Sequence, residues 1–228
     1  MPRAALLLIA LIAAATPSPA AAQDIAELVG PTDEIPRNSY RSWALFLVCN
    51  PDWVTERRSG DLANLYWAFK RFGDAIGPRN LAVWFWKEQM RVTDPRLGDN
   101  VNVARAAAYC SSLSLIPSRG PFIVITTGHP GADSVPPAHG IFELGDLQPE
   151  QIGKLLLRLT DVLMAGRAAD TFGAGAAAVA ADDRAAATGF WIRMLEGARQ
   201  SIIGFGCAVS VRISTGVFSA ELRECAGP

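Results

Sequence analysis

Apolar residues fall along this chain as short unbroken runs alternating with helical stripes. The first run within the body of the chain is Trp43 to Cys49, Trp-Ala-Leu-Phe-Leu-Val-Cys, with no polar side chain inside it. A run of strand length that is apolar on both faces predicts a buried strand, central in its sheet and parallel to a neighbour. It stops at Asn50-Pro51, and Asn50 to Gly60 reads as a polar loop. Leu62, Leu65, Tyr66, Phe69, Phe72 and Ile76 then recur at spacings of three and four, the wide apolar face of a helix with Ser59 or Asp61 as its cap. Gly77 closes that helix and Pro78 blocks its continuation. Leu81 to Trp86 is a second apolar run, and strand, helix, strand predicts a parallel pair with a right-handed crossover.

The alternation continues. Asp99 or Asn100 starts a helix running to about Leu113, with Val103, Ala106, Ala107, Cys110 and Leu113 inward. Phe122 to Thr127 predicts a third strand, and Ile141 to Leu144 a short antiparallel fourth, joined by a Pro- and Gly-rich loop. Pro149 opens an amphipathic helix, with Ile152, Leu155, Leu156, Leu159, Val162 and Leu163 on one side and a stop at Gly166. Residues 167–189 are rich in alanine and glycine and read as a linker. Residues 190–228 read as a smaller unit: a helix marked by Phe190, Trp191, Met194, Leu195 and Ile202, then a hairpin about Ser214 to Gly216.

The N-terminal pattern differs. Arg3 precedes a continuous apolar run from Ala4 to Ala15, Pro17 breaks it, and Ala20-Ala21-Ala22 supplies small residues for cleavage. Residues 1–22 therefore read as a secretory signal peptide, and 23–42 as an extended arm leading to the domain. No later segment is apolar for long enough to span a bilayer. A formal net charge of −1 gives no field to attract nucleic acid. An exported chain makes the even cysteine set, Cys49, Cys110, Cys207 and Cys225, a disulfide framework of three possible pairings. If the hairpin turns where expected, Cys207 and Cys225 meet across it or nearly so. No cysteine spacing suits zinc, and only two histidines exist, so neither a metal nor a cofactor is expected.

The order from Trp43 to Ala165 is β-α-β-α-β-β-α, which resembles the thioredoxin fold. Thioredoxin-like domains place a cis-proline just before the third strand of this motif, and Gly120-Pro121 stands there, ahead of Phe122. The resemblance implies an α/β, thioredoxin-like three-layer sandwich over residues 43–166, with the C-terminal helix and hairpin appended. It departs from the family at the chemistry. No C-x-x-C follows the first strand, where Asn50, Pro51, Asp52 and Trp53 follow a single Cys49. Dithiol exchange needs an attacking thiolate and a resolving thiol beside it. In this fold Cys110 approaches the same sheet edge. The pair then reads as an inert disulfide, as a switchable pair with Cys49 attacking near Pro121, or as two unpaired core cysteines.

Other residues invite function less directly. Trp53 in the exposed loop suits an anchor for a partner, and Arg57 with Arg58 suits a clamp for carboxylate or phosphate. A solvated loop containing Glu56 and Asp61 is the plainer account. His129, His139 and Asp133 read as loop residues, and the tryptophans at 43, 67, 84, 86 and 191 as core packing. The expected function is an exported, non-catalytic thioredoxin-like binding or assembly module whose partner is another exported protein. The alternative is an atypical thiol oxidoreductase or peroxide-reactive protein using Cys49 with Cys110.

Overall fold

A computed structural model describes residues 26–37, 40–87, 97–132, 134–136, 138–169, 192–194, 196, 211–215 and 219–222. Seven strands form one mixed sheet: β1 (Ala26–Val29), β2 (Ser42–Leu47), β3 (Asn80–Phe85), β4 (Phe122–Thr126), β5 (Ala138–Glu143), β6 (Val211–Thr215) and β7 (Ser219–Leu222). Their spatial order is β1-β3-β2-β4-β5-β6-β7. β1, β3 and β2 run parallel, and every pair from β2–β4 outward is antiparallel. Helices α1 (Ser59–Ile76), α2 (Leu97–Asn100), α3 (Val103–Ser112) and α4 (Pro149–Ala169) complete a mixed α/β architecture.

Side-chain alternation sorts the strands into two cores. Ala44, Phe46 and Val48 of β2 and its exit, with Ala82, Trp84 and Trp86 around β3, join the apolar stripes of α1 and α4. Trp43, Leu45, Leu47 and Cys49, with Leu81, Val83 and Phe85, join Ala106, Tyr109 and Cys110 of α3 on the opposite face. β2 is buried along its whole length, as an unbroken apolar run requires. Its parallel register with β3 is pinned by a buried polar pair: the Ser42 hydroxyl donates to Asn80 Oδ1 at 2.7 Å, and Asn80 Nδ2 donates to the Ile76 carbonyl at 2.6 Å.

Several boundaries differ from the sequence reading. The expected arm contains a strand: β1 adds to the outer edge of β3, where four residues need only one neighbour's hydrogen bonds. Neither Ser59 nor Asp61 caps α1. The chain enters from a 3₁₀ turn in which the Ser59 N–H already bonds the Glu56 carbonyl, so the helix grows out of that turn. Gly77 does end it, at φ 78°, a left-handed value that suits glycine.

The helix expected from Asp99 or Asn100 is split into α2 and α3. Val101 bridges Trp86 and the Asn102 N–H bonds the Phe85 carbonyl, which breaks the helical path. Asn102 then caps α3 by accepting from the Arg105 N–H at 3.0 Å. α4 runs through Gly166 to Ala169, where the alanines beside that glycine favour helix.

The C-terminal hairpin is present as β6 and β7, and β6 pairs with β5, so the hairpin extends the central sheet. Ile192, Arg193, Met194 and Glu196 are helical, and Met194 is fully buried in the core of α1 and α4. Residues 1–22, most of the linker, Cys207 and Cys225 lie outside the described residues. Among the described residues no helix is long and apolar enough to cross a membrane.

Candidate functional site

Leu47 of β2 stands opposite Phe122 of β4, so Cys49 leaves the sheet level with the Gly120–Pro121 peptide, which is cis. Strand alternation turns Cys49 toward α3. Cys110, on the inner side of α3, meets it, and the two form a disulfide with Cα atoms 6.5 Å apart. Only 3% of Cys49 and 1% of Cys110 is exposed. The structure has the two cysteines bridged and both sulfurs buried beneath α3, which sets aside the reading as two unpaired core cysteines.

The loop after Cys49 folds on the other face. Asn50 Oδ1 accepts from the Asp52 N–H at 3.0 Å, and Pro51 opens a 3₁₀ turn over Pro51–Val54. That turn drives Trp53 inward. Trp53 is not the exposed anchor expected from its loop position: it is 5% exposed and belongs to the core of α1 and α4. The Arg58 guanidinium covers its ring, 4.6 Å from the centroid. Arg57, one residue earlier on the next 3₁₀ turn, is exposed and does not line the cleft below, so the two arginines do not converge as a clamp.

A third segment closes on the same edge. The Leu144 N–H donates to the Pro121 carbonyl at 2.8 Å and the Gly145 N–H to the Arg119 carbonyl at 3.1 Å. A side chain at 145 would meet the Gly120 carbonyl oxygen at 2.7 Å, so the β5–α4 turn can sit this close only with glycine. The result is a cleft of about 380 Å³ between the outer side of α1 and that turn. Asp61, Asn64, Ala68 and Arg71 line one wall, the segment Gly145–Pro149 lines the other, and Trp53 and Leu65 lie at its base. Arg58, Asp61, Arg71 and Asp146 bring charges of both signs to it. None of the four makes an ion pair among the described residues.

The sequence pointed to Trp53, Arg58 and Asp61 but not to Asn64, Ala68, Arg71 or Asp146. One signal was available: Asp61, Asn64, Ala68 and Arg71 repeat at three and four, flanking the apolar stripe. The opposite wall belongs to a turn far along the chain, which periodicity cannot bring near.

The α3 face also has a cavity, of about 450 Å³, between residues 31–37 and 129–132. Several polar groups in and beside it are engaged with backbone. The Arg105 guanidinium donates to the Gly30 and Asp33 carbonyls and lies 4.8 Å over the Phe85 ring. The Tyr109 hydroxyl donates to the Gly131 carbonyl, and the His129 ring donates from Nε2 to the Ile35 carbonyl at 2.8 Å. These contacts tie two loops to the sheet.

His139 lies in β5, not in a loop, with Nδ1 2.7 Å from the Pro136 carbonyl. Asp133 is outside the described residues, among which no cluster of three metal-ligating side chains occurs. Trp43, Trp84 and Trp86 are buried, whereas Trp67 is 54% exposed on α1, and Trp191 is not described.

The described architecture is a mixed α/β domain with an internal disulfide on the α3 face of the sheet and a charged cleft on the α1 and α4 face. No protein-family model, curated protein or solved structure matches the chain.

Proposed function

We propose that this is an exported thioredoxin-like domain that serves as a non-catalytic binding or assembly module, with the cleft between α1 and the β5–α4 turn as its contact surface. The strand order β1-β3-β2-β4-β5, α1 and α4 on one face with α3 on the other, and the cis Gly120–Pro121 bond support the family reading. The apolar N-terminal run and the disulfide support export. One observation carries the functional reading: Cys49 is bridged to Cys110 and buried on the α3 side, away from the cleft. A working dithiol site presents an accessible thiolate with its resolving partner nearby. The loop from Asn50 to Gly60 offers neither.

The competing reading, a thiol oxidoreductase using Cys49 with Cys110, draws on the position of Cys49 level with Pro121. It requires a sulfur that an incoming disulfide can reach. Insulin reduction by the purified protein with excess dithiothreitol separates the two. The binding-module reading expects the uncatalysed rate. Turnover that disappears in Cys49→Ser would replace it with the oxidoreductase reading.

A further inference from the structure

We propose that the cleft binds a short extended peptide segment with an acidic residue, a basic residue and a second acidic residue in that order, and an apolar residue before the last. The inference rests on the binding-module reading and names its ligand class. The charge order along α1 carries it. Arg58 stands just before the helix, Asp61 in its first turn, Ala68 two turns further on and Arg71 beyond that. At 1.5 Å per residue the two arginines lie about 20 Å apart along the axis, with the carboxylate of Asp61 about 5 Å from the first. Asp146 on the facing turn adds a second anion to the cleft.

An extended chain advances about 3.3 Å per residue and turns alternate side chains to one side. Seven residues therefore span about 20 Å, and positions one, three, five and seven face α1. Position one meets Arg58, position three meets Asp61, and position seven meets Arg71. Position five falls at Ala68, the small residue in that wall, where the cleft lining that includes Leu65 and Ile152 is apolar. A single anion would leave Asp61 and Asp146 repelling it, and a purely apolar ligand would strip water from four charges without replacing it. A segment of alternating sign meets Arg58, Asp61 and Arg71 in turn, and its central basic residue also offsets the anion at Asp146 on the facing turn.

The test uses two fluorescein-labelled heptapeptides and the full-length protein, read by fluorescence anisotropy. The first has glutamate at positions one and seven, lysine at three, leucine at five and alanine elsewhere. The second exchanges glutamate and lysine. The expected result is binding of the first at least about tenfold tighter than the second, with the gap closing between about 0.05 M and about 0.5 M salt. Arg71→Glu should weaken the first peptide by about threefold or more and strengthen the second, and Asp61→Lys should act likewise through position three. Both residues are exposed, so neither substitution reaches the core, and far-UV circular dichroism with a urea midpoint checks that each variant is folded before its affinity is read. Equal affinity for the two peptides, binding of neither, or wild-type discrimination in both variants would overturn the inference. The outcome is separable from the non-catalytic reading. Insulin turnover with intact peptide discrimination removes only that reading, and no turnover with no discrimination removes only the peptide.

Discussion

The two faces of the sheet use similar residue types for different ends. On the α3 face an arginine, a tyrosine, a histidine and two cysteines are drawn inward and engaged: Arg105, Tyr109 and His129 hold loop carbonyls, and Cys49 holds Cys110 covalently. On the α1 and α4 face the buried aromatic side chains pack on one another. Phe46, Tyr66, Phe69 and Trp84 contact one another at centroid distances of 5.2–6.3 Å, and the charged groups stand at the rim of a cleft, facing solvent. Groups whose bonds are internal contribute stability. Groups left facing water are available to a ligand. On the proposed reading Cys49 and Cys110 belong to the framework, and the surface charges of the cleft form the contact site.

The largest break in that contrast should come from the disulfide. It closes a loop with a sequence separation of 61 residues. The chain-entropy account of such a loop gives about 4 kcal/mol of stability. Cys49→Ala with Cys110→Ala should lower the urea midpoint accordingly while leaving peptide discrimination in the refolded protein unchanged. A loss under about 1 kcal/mol would remove the bridge from the framework.

Arginine against arginine sharpens the comparison next. Arg105→Ala deletes two charge-assisted bonds to carbonyls and should cost about 2 kcal/mol. Arg71→Ala, which touches no ion-pair partner among the described residues, should change stability by no more than about 0.5 kcal/mol. Equal losses in the same denaturation series would erase the division of labour. Tyr109→Phe, which leaves the Gly131 carbonyl without that donor, should cost about 1 kcal/mol.

The smallest effect lies at the start of α4. Lys154 donates to Glu150 across one turn at 2.8 Å, and that bond together with the ammonium charge holds the Glu150 carboxyl below its ordinary value of 4.5. A depressed carboxyl favours folding above the ordinary value, and that contribution is lost as pH falls through the depressed one. Both groups are exposed, so NMR titration should show the shift while thermal melts of Glu150→Gln stay near those of wild type through neutral pH.

The strands and helices were legible in the sequence wherever one period dominated. Trp43 to Cys49 could only be a strand buried on both faces, and Leu62 to Ile76 only a one-sided helix. Gly77 and Pro149 marked true ends. β1 was not legible, because four residues with a charge at Glu27 carry too little pattern and gain their order from β3. The site was half legible. Trp53, Arg58 and Asp61 stood out in a polar loop, yet loop position gave the wrong exposure for Trp53, since the Asn50-capped turn that buries it is set by local hydrogen bonds. Cys110 was legible as a neighbour of Cys49 only through the fold it resembles. The far wall of the cleft was not legible at all, because Gly145 reaches it through backbone contacts with the loop at Arg119 and Gly120.

Native-state alkylation after graded reduction tests the central claim most directly, with mass spectrometry locating the label across increasing urea. A bridge that serves as framework opens only when the fold opens. Labelling of Cys49 and Cys110 should therefore be negligible in native buffer and rise together with global unfolding. Rapid labelling of Cys49 alone, at a rate indifferent to urea below the unfolding transition, would contradict the account and make that sulfur a working one.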